Sequence, residues 1–201
     1  MIYSPVTTPT NGAIIFLDRD GVLIADNGHV VDESQLAILP GVPEALSALK
    51  ERFRLVVVSN QAVVARGLLD EIQVRDLQKA LEKRLTSVGA PPLDGFYFCP
   101  HHPRATLEAY RVDCDCRKPR PGLLFRAAEE LSLDLTGSFM VGDRPTDILA
   151  GTRAGCRTVW VKTGQHDAAL IETSETLDAL PRADFVCSGL LESSRWILEQ
   201  A

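Results

Sequence analysis

The sequence predicts an α/β fold in which a parallel sheet lies between two layers of helices. Short, almost wholly apolar segments recur along the chain, and segments with apolar residues at helical spacing separate them. An apolar strand is typical of a parallel sheet, because helices cover both faces of such a sheet. Strands that alternate with helices are joined by right-handed crossovers. We therefore expect a central parallel sheet with helices on both faces.

The first half of the chain contains three predicted strands and two predicted helices. Apolar runs at 14–17 and 55–58 predict the first two strands, and the aromatic run at 96–98 predicts the third. The segment 43–53 has a proline near its start and apolar residues at helical spacing, which indicates a helix. The segment 70–88 is amphipathic and carries several charges, so we expect a long helix with one solvated face.

The second half of the chain continues the same alternation. Its predicted elements are a helix at 121–131, strands at 139–143, 158–161 and 184–187, and a helix at 190–199. A further helix begins at Pro145 and ends at Gly151 or Gly155, since proline suits the first turn of a helix and glycine often follows the last. The whole pattern indicates a Rossmann-like three-layer α/β/α fold.

Length, charge and hydropathy limit the number of domains and the class of partner. The 201 residues suffice for one domain, which we expect to span 1–201 with a loop insert at about 99–118. The formal net charge of −6 argues against binding to nucleic acid or an anionic membrane, so local positive groups or a metal must hold any anionic substrate. No stretch approaches about 18 apolar residues and no signal peptide is recognisable, so we expect a cytoplasmic protein.

Polar side chains follow three of the predicted strands. Asp18 and Asp20 follow the first strand, Ser59 follows the second, and Asp143 ends the fourth. The carboxyl ends of strands in a doubly wound sheet meet at one edge, where such folds bind their ligands. Two carboxylates at i and i+2 in extended backbone point the same way, and Gly21 allows a sharp turn beside them. This pattern suits a divalent cation together with a phosphate. The alternative is an ordinary acidic turn.

The predicted loop at 99–118 contains a possible metal site. Cys99, His101, Cys114 and Cys116 supply three thiolates and one imidazole, a ligand set for tetrahedral structural zinc. A loop with incidental thiols, or a reducible disulfide, is the alternative. An odd number of cysteines in a chain that we expect to be cytosolic favours the metal. His102 should point away from that metal.

Four motifs resemble those of haloacid dehalogenase superfamily phosphatases. They are Asp18-Arg19-Asp20-Gly21-Val22, Ser59-Asn60-Gln61, Lys118, and Gly142-Asp143-Arg144-Pro145-Thr146-Asp147. The resemblance implies that Asp18 is the nucleophile and Asp20 the general acid/base. It also implies that Ser59 and Lys118 stabilise the phosphate. A carboxylate nucleophile forms an aspartyl-phosphate and thereby divides one difficult hydrolysis into two easier steps.

The same resemblance implies a magnesium site. Asp18, the backbone carbonyl of Asp20, and Asp143 would ligate Mg²⁺, and Asp147 would support them. The cation and Lys118 together would offset charge on the transferring phosphoryl group.

The cysteine loop, followed directly by Arg117 and Lys118, is similar to that of a group that contains heptose-bisphosphate 7-phosphatases and histidinol-phosphate phosphatases. In that group the zinc loop takes the place of a large cap domain and holds the basic pair over the active site. Arg117 is implied to hold a distal phosphate, although a solvated basic pair is the alternative. The residues implied to contact substrate are Asp26, Asn27, Gly28, His29, Asn60, Gln61, Arg117 and Lys118.

Four residues, at three sites, depart from the usual pattern of the heptose enzymes. They have Asn in place of Ile24, Tyr in place of His29, and Ser-Gly in place of Ala62-Val63. We expect a monomeric, Mg²⁺-dependent phosphatase with structural Zn²⁺ that acts on a small phosphorylated metabolite, a heptose 1,7-bisphosphate first. The alternatives are a histidinol-phosphate phosphatase or other small sugar-phosphate phosphatase, and a non-catalytic phosphosugar-binding protein.

Overall fold

The protein contains a six-stranded sheet in the order β3-β2-β1-β4-β5-β6, and every pairing in it is parallel. A computed structural model describes residues 12–164 and 182–200. The strands are β1 Ile14–Leu17, β2 Arg54–Asn60, β3 Gly95–Cys99, β4 Phe139–Gly142, β5 Arg157–Val161 and β6 Phe185–Cys187. Each predicted strand is present, and β2 includes Ser59 and Asn60, which we had expected to follow it.

Six α-helices accompany the strands in the described ranges. They are α1 Val42–Lys50, α2 Ala62–Ala65, α3 Glu71–Ser87, α4 Gly122–Leu131, α5 Pro145–Arg153 and α6 Leu190–Gln200. Short 3₁₀ helices lie at Glu33–Gln35 and Glu108–Tyr110. The sequence analysis did not predict α2, because a single turn of four residues has no measurable apolar periodicity.

Helix boundaries follow from local chemistry. Asp70 is the N-cap of α3, since its side chain accepts a hydrogen bond from the Gln73 backbone N–H while the Gln73 side chain accepts one from Asp70 N–H. Pro145 occupies the first turn of α5. Of the two predicted ends for α5, Gly155 is right: it follows the helix with φ of +78°, whereas Gly151 lies inside it.

The sheet divides the core into two layers. Ile15 and Leu17 of β1 pack with buried residues of α1, α3 and α6 on one face. Ile14 and Phe16 pack with buried residues of α4 and α5 on the other face. Since successive side chains of a strand point to opposite faces, the wholly apolar β1 serves both layers. The predicted Rossmann-like α/β/α fold is confirmed.

The strand order places a ligand-binding edge beside β1. The chain runs from β1 to β2 and β3 on one side, and to β4, β5 and β6 on the other. The order therefore reverses between β1 and β4, and a crevice forms at the carboxyl ends of strands at such a point. Among the described residues, no helix is both long and apolar enough to cross a membrane.

Candidate active site

A cleft of about 440 Å³ opens at the carboxyl edge of the sheet. Most residues predicted to act on substrate line it: Asp18, Asp20, Asp26, Gly28, His29, Ser59, Asn60, Gln61, Arg117 and Lys118. Asn27 is not among the lining residues, and its side chain is exposed. Asp143 is fully buried, outside the lining of the cleft. The fold thus gathers segments from Asp18 to Asp147, which are distant in sequence, at one edge.

The Lys118 ammonium group lies between two carboxylates. Its Nζ is 3.1 Å from Asp18 Oδ1 and 2.6 Å from Asp147 Oδ1, and it donates a hydrogen bond to the Val58 carbonyl at 2.8 Å. Burial alone lowers the pKa of this lysine, but the negative charges of Asp147 and Asp18 outweigh it and raise the pKa. Lys118 is therefore a buried, charged ammonium group at the base of the cleft.

The Asn60 side chain fixes the backbone of Lys118. Asn60 Nδ2 donates to the Lys118 carbonyl at 3.0 Å, and Lys118 N–H donates to Asn60 Oδ1 at 3.1 Å. This reciprocal pair joins the end of β2 to a loop residue 58 positions later. Asn60 therefore fixes the position of the Lys118 backbone.

Asp18 is held in place by its own backbone and its neighbour. Its N–H donates to the Val141 carbonyl of β4 at 3.0 Å, which anchors it at the crevice. Oδ1 accepts from Arg19 N–H at 2.8 Å and is the atom that faces Lys118. Among residues 12–164 and 182–200, no group donates a hydrogen bond to Oδ2, so this oxygen is the one available to a substrate.

Asp20 belongs to a second network beside the first. Arg19 donates to both of its carboxylate oxygens, from Nε at 3.1 Å and from Nη2 at 3.0 Å. Gln61 Nε2 donates to Asp20 Oδ2 at 3.2 Å and to Ser59 Oγ at 2.9 Å. Because the Ser59 oxygen accepts that bond, its own proton is free for another acceptor. The network thus presents one carboxylate and one hydroxyl to the cleft.

The surroundings of the buried Asp143 carboxylate indicate a site for an additional cation. Within the described residues, neither of its carboxylate oxygens has a hydrogen-bond partner, and the nearest cationic atom, Arg144 Nε, is 3.8 Å from Oδ2. Burial and the negative charges of Asp18 and Asp147 raise its pKa to about 8. Oxygen ligands of Asp18, Asp143 and Asp147 lie within 4.8 Å of one another. A buried carboxylate without donors fits a divalent cation.

Space around Asp143 is provided by glycine. A Cβ atom at Gly21 would lie 2.5 Å from Asp143 Oδ2, and Gly21 has φ of +82°. A Cβ atom at Gly164 would overlap the same carboxylate. Both positions therefore require glycine for the acidic group to occupy this place.

The four predicted zinc ligands lie together. Sulfur–sulfur distances among Cys99, Cys114 and Cys116 are 3.2–3.6 Å, and His101 Nδ1 lies 3.7 Å from Cys99 and 3.4 Å from Cys116. Atoms arranged around one tetrahedral zinc, with Zn–S bonds of about 2.3 Å, are separated by similar distances. All five cysteines are free thiols, so the disulfide alternative is wrong for this structure. The donor set fits zinc.

Hydrogen bonds connect this loop to the cleft. Arg117 Nη1 donates to the His101 carbonyl at 2.9 Å, and Arg120 Nη1 donates to the Cys114 carbonyl at 2.9 Å. Hydrogen bonding with Cys99 and Cys114 lowers the pKa of the Cys116 thiol to about 5. Arg117 is therefore positioned by a residue of the cysteine cluster and is not a freely solvated side chain.

The cleft also contains two residues that the sequence analysis did not include in the predicted site. Arg66 and His102 both line it, and His102 lies outside the cysteine cluster, as expected. Burial and the positive charges of Arg117, Arg66 and Arg104 lower the pKa of His102. The sequence Ala65-Arg66-Gly67 resembles an Ala-Arg-Gly pattern of the family, in which the arginine could bind phosphate or only cap a loop, whereas no local pattern identifies His102 as a cleft residue.

Comparisons with known proteins agree with this geometry. A HAD-hydrolase-like family model matches residues 115–193. The D-glycero-beta-D-manno-heptose-1,7-bisphosphate 7-phosphatase of Escherichia coli K12 is 39% identical over 188 residues, which cover 92% of this chain and 94% of that protein. The Photorhabdus laumondii enzyme of the same name is 46% identical over 153 residues, 75% of this chain and 81% of that one. The chain belongs to this phosphatase family.

A solved structure of the heptose-bisphosphate phosphatase family has the same fold. The D,D-heptose 1,7-bisphosphate phosphatase of B. bronchiseptica, complexed with magnesium and phosphate, superposes with a TM-score of 0.79 at 31% identity. The match covers 94% of this chain and 99% of that one. As a member of the family, the present chain is an enzyme of the phosphatase class.

The three departures from the usual family pattern lie in different environments. Ile24 is fully buried in the core and does not line the cleft. His29, Ala62 and Val63 do line it, and His29 contacts Arg66. Of the four departing residues, His29, Ala62 and Val63 are therefore the ones placed to alter substrate preference relative to other family members.

Proposed function

We propose that this enzyme is a Mg²⁺-dependent phosphomonoesterase that removes the 7-phosphate of D-glycero-D-manno-heptose 1,7-bisphosphate. The observation that carries the proposal is the buried Lys118 ammonium group beside Asp18 in a cleft that Arg117 also lines. One phosphate can meet the nucleophile there while a second one meets the arginine. The names of the family members support the heptose substrate.

The reaction proceeds in two displacements at phosphorus. Asp18 Oδ2 attacks, the bond to the sugar oxygen breaks, and Asp20 supplies the proton that this oxygen needs. Asp20 then accepts a proton from water, whose oxygen attacks the aspartyl-phosphate and releases inorganic phosphate and free Asp18. Lys118 and the Ser59 hydroxyl stabilise the phosphoryl oxygens in both steps.

In this proposal the acidic residues also form the magnesium site. Asp18, the backbone carbonyl of Asp20, and Asp143 would hold Mg²⁺, which supplies positive charge to phosphoryl oxygens. Asp147 is already paired with Lys118, and its Oδ2 accepts a hydrogen bond from Arg144 N–H at 3.0 Å, so its role is to orient the lysine.

Zinc would be held by Cys99, His101, Cys114 and Cys116, where it supplies a rigid cross-link for the loop. We expect one zinc per chain, measured by elemental analysis of protein purified without chelators. Cys114→Ala should lower both the zinc content and the thermal midpoint, and should raise KM, because Arg117 loses its support. Cys156→Ala is the matched control, since Cys156 is a buried thiol outside the cluster. Zinc-free wild type, or an unchanged Cys114→Ala protein, would contradict the zinc assignment.

The substrate is tested at Arg117. Arg117→Ala should cost about 2–4 kcal/mol in kcat/KM for the heptose bisphosphate, because a partly buried guanidinium–phosphate contact is lost. It should cost far less for p-nitrophenyl phosphate, which has no second phosphate. Arg104→Ala, at an exposed residue of the same loop that does not line the cleft, is the control. Equal losses on both substrates would favour the alternative, histidinol phosphate, and absence of any phosphate release by the wild type would favour a binding protein.

Two further predictions concern the oligomeric state and the cellular location of the enzyme. We propose that it acts as a monomer and in the cytoplasm, on a small phosphorylated sugar. The net charge of −6 supports a small-molecule partner over nucleic acid or an anionic membrane. Sedimentation equilibrium would test the monomer, and fractionation of cells would test the location.

A further inference from the structure

Arg19 is a buried arginine that has no part in the reaction proposed above. Its side chain is 1% exposed, and its guanidinium donates two hydrogen bonds to the Asp20 carboxylate and one, at 3.1 Å, to Gln61 Oε1. Within the described residues, its Nη1 has no hydrogen-bond acceptor. A buried ion pair adds little to the stability of a fold, and a buried donor without an acceptor lowers it. The pair therefore indicates a role in the site.

Hydrogen bonds fix the backbones of both Arg19 and Gln61. The Arg19 carbonyl accepts from Leu23 N–H at 2.9 Å and from Ile24 N–H at 3.1 Å, in a turn whose two apolar side chains are fully buried. Gln61 N–H donates to the Cys99 carbonyl at the end of β3, at 2.8 Å. The two side chains therefore extend from backbone that the fold holds rigidly, which is what the precise placement of a third group requires.

The two carboxylate oxygens of Asp20 differ in the number of donors that they face. Oδ2 accepts from Arg19 Nη2 at 3.0 Å and from Gln61 Nε2 at 3.2 Å. Among the described residues, Oδ1 accepts only from Arg19 Nε, at 3.1 Å. Each carboxylate oxygen has two lone pairs, so the donors occupy both on Oδ2 and leave one on Oδ1. Because Asp20 lines the cleft, Oδ1 is the oxygen that can exchange a proton with a ligand there.

We propose that Arg19 and Gln61 are positioning residues that orient Asp20 so that its Oδ1 performs both proton transfers of the reaction. This rests on the proposed function. In the first step Oδ1–H gives its proton to the sugar oxygen, which keeps the electron pair of the broken P–O bond. In the second step Oδ1 accepts a proton from water, while the water oxygen bonds to phosphorus and the bond to Asp18 Oδ2 breaks. A guanidinium fork holds a carboxylate in one plane through two parallel hydrogen bonds, so the same oxygen is presented in both steps.

The test separates formation of the aspartyl-phosphate from its hydrolysis. p-Nitrophenolate leaves without a proton, so attack by Asp18 on p-nitrophenyl phosphate does not need Asp20, whereas hydrolysis of the aspartyl-phosphate does. Arg19→Gln should therefore give a burst of p-nitrophenolate, followed by a steady-state rate about 100-fold below that of the wild type. Rapid-quench mass spectrometry should find the phosphorylated enzyme during that slow phase.

A sugar phosphate should give the complementary result, because its leaving oxygen needs a proton. In Arg19→Gln the first turnover of the heptose bisphosphate should slow about 100-fold, while the first turnover of p-nitrophenyl phosphate changes little. Misfolded protein lowers the burst amplitudes and neither rate constant. Arg19→Lys retains the buried charge and one donor, and should recover part of both lost rates. Gln61→Met leaves Arg19 in place and should slow the same two steps about tenfold, so the test does not depend on the folding of the Arg19 variants.

Arg84→Gln is the matched control and should leave every rate unchanged. Arg84 is a partly buried arginine of α3 that donates to the Leu36 carbonyl at 3.1 Å and does not line the cleft.

The outcomes separate this inference from the proposed function, with Asp20→Asn as the reference. If Asp20→Asn slows both proton-dependent steps while the Arg19 and Gln61 variants keep wild-type rates, the positioning role is refuted and the proposed function stands. Equal slowing of the first turnover of both substrates would show general damage to the site and would also refute it. If Asp20→Asn itself keeps wild-type rates, the acid/base assignment in the proposed function fails, and the positioning role fails with it.

Discussion

Asp18→Asn should abolish turnover while the protein remains folded. The amide has no carboxylate oxygen to attack phosphorus, so no aspartyl-phosphate can form. The substitution nearly conserves shape, and Oδ1 can still accept the Arg19 N–H, so we expect a thermal midpoint close to that of the wild type. Phosphate release from p-nitrophenyl phosphate and from the heptose bisphosphate measures the loss. Asp76→Asn, at an exposed carboxylate of α3 that pairs with Lys79, is the matched control.

A companion variant distinguishes the nucleophile from the proton donor. Asp20→Asn should be slowed severely but still allow attack by Asp18, so the phosphorylated enzyme accumulates when water activation fails. Rapid-quench mass spectrometry should detect this species in Asp20→Asn and not in Asp18→Asn. Retention of more than a few per cent of activity by Asp18→Asn would refute the assignment of Asp18.

Lys118→Ala should cost both activity and stability. Its loss leaves Asp18 and Asp147 buried beside each other and beside Asp143 without a compensating ammonium group. Removing one partner of a buried ion pair typically costs about 3–5 kcal/mol in the free energy of unfolding. We expect kcat to fall by about 10³-fold on every substrate, because charge on the transferring phosphoryl group loses its stabilising partner.

The control for Lys118 is another lysine–aspartate pair. Lys79 and Asp76 lie 2.8 Å apart on α3, with side chains 68% and 59% exposed. Lys79→Ala should change the free energy of unfolding by less than about 1 kcal/mol, because water screens an exposed pair. Urea unfolding measures both variants. A Lys118→Ala protein as active and as stable as Lys79→Ala would show that the buried pair has no role.

The positions of several site residues could be predicted from sequence because they follow directly from strand ends. The apolar run before Asp18 predicted β1, and the run before Asp143 predicted β4. Parallel strands bring their carboxyl ends together, so these two acids had to meet at one edge. The cysteine spacing likewise predicted a four-residue cluster before any distance was known, and the structure places those ligand atoms within 4.8 Å.

Other parts of the site required the folded chain. Asn60 and Gln61 were predicted to contact substrate, but in the structure their amides bond to the Lys118 backbone, to Arg19, to Asp20 and to Ser59. Contact of Asn60 and Gln61 with substrate therefore stays a prediction. Which polar groups hydrogen-bond to one another depends on side-chain rotamers and on interatomic distances. Neither can be read from the order of residues in the sequence.

The sequence by itself predicted the sheet, the edge at which its strand ends meet and the cluster of cysteine and histidine side chains, because each depends on periodicity or spacing within a few positions. Only the tertiary structure decided that Lys118 lies between Asp18 and Asp147, and that Arg66 and His102 share a cleft with Arg117. These arrangements join segments tens of residues apart. Asn60 of β2 positions Lys118, and hydrogen bonds from Thr106 and Leu107 to Ala65 join the cysteine loop to α2. No local pattern encodes these contacts between distant segments.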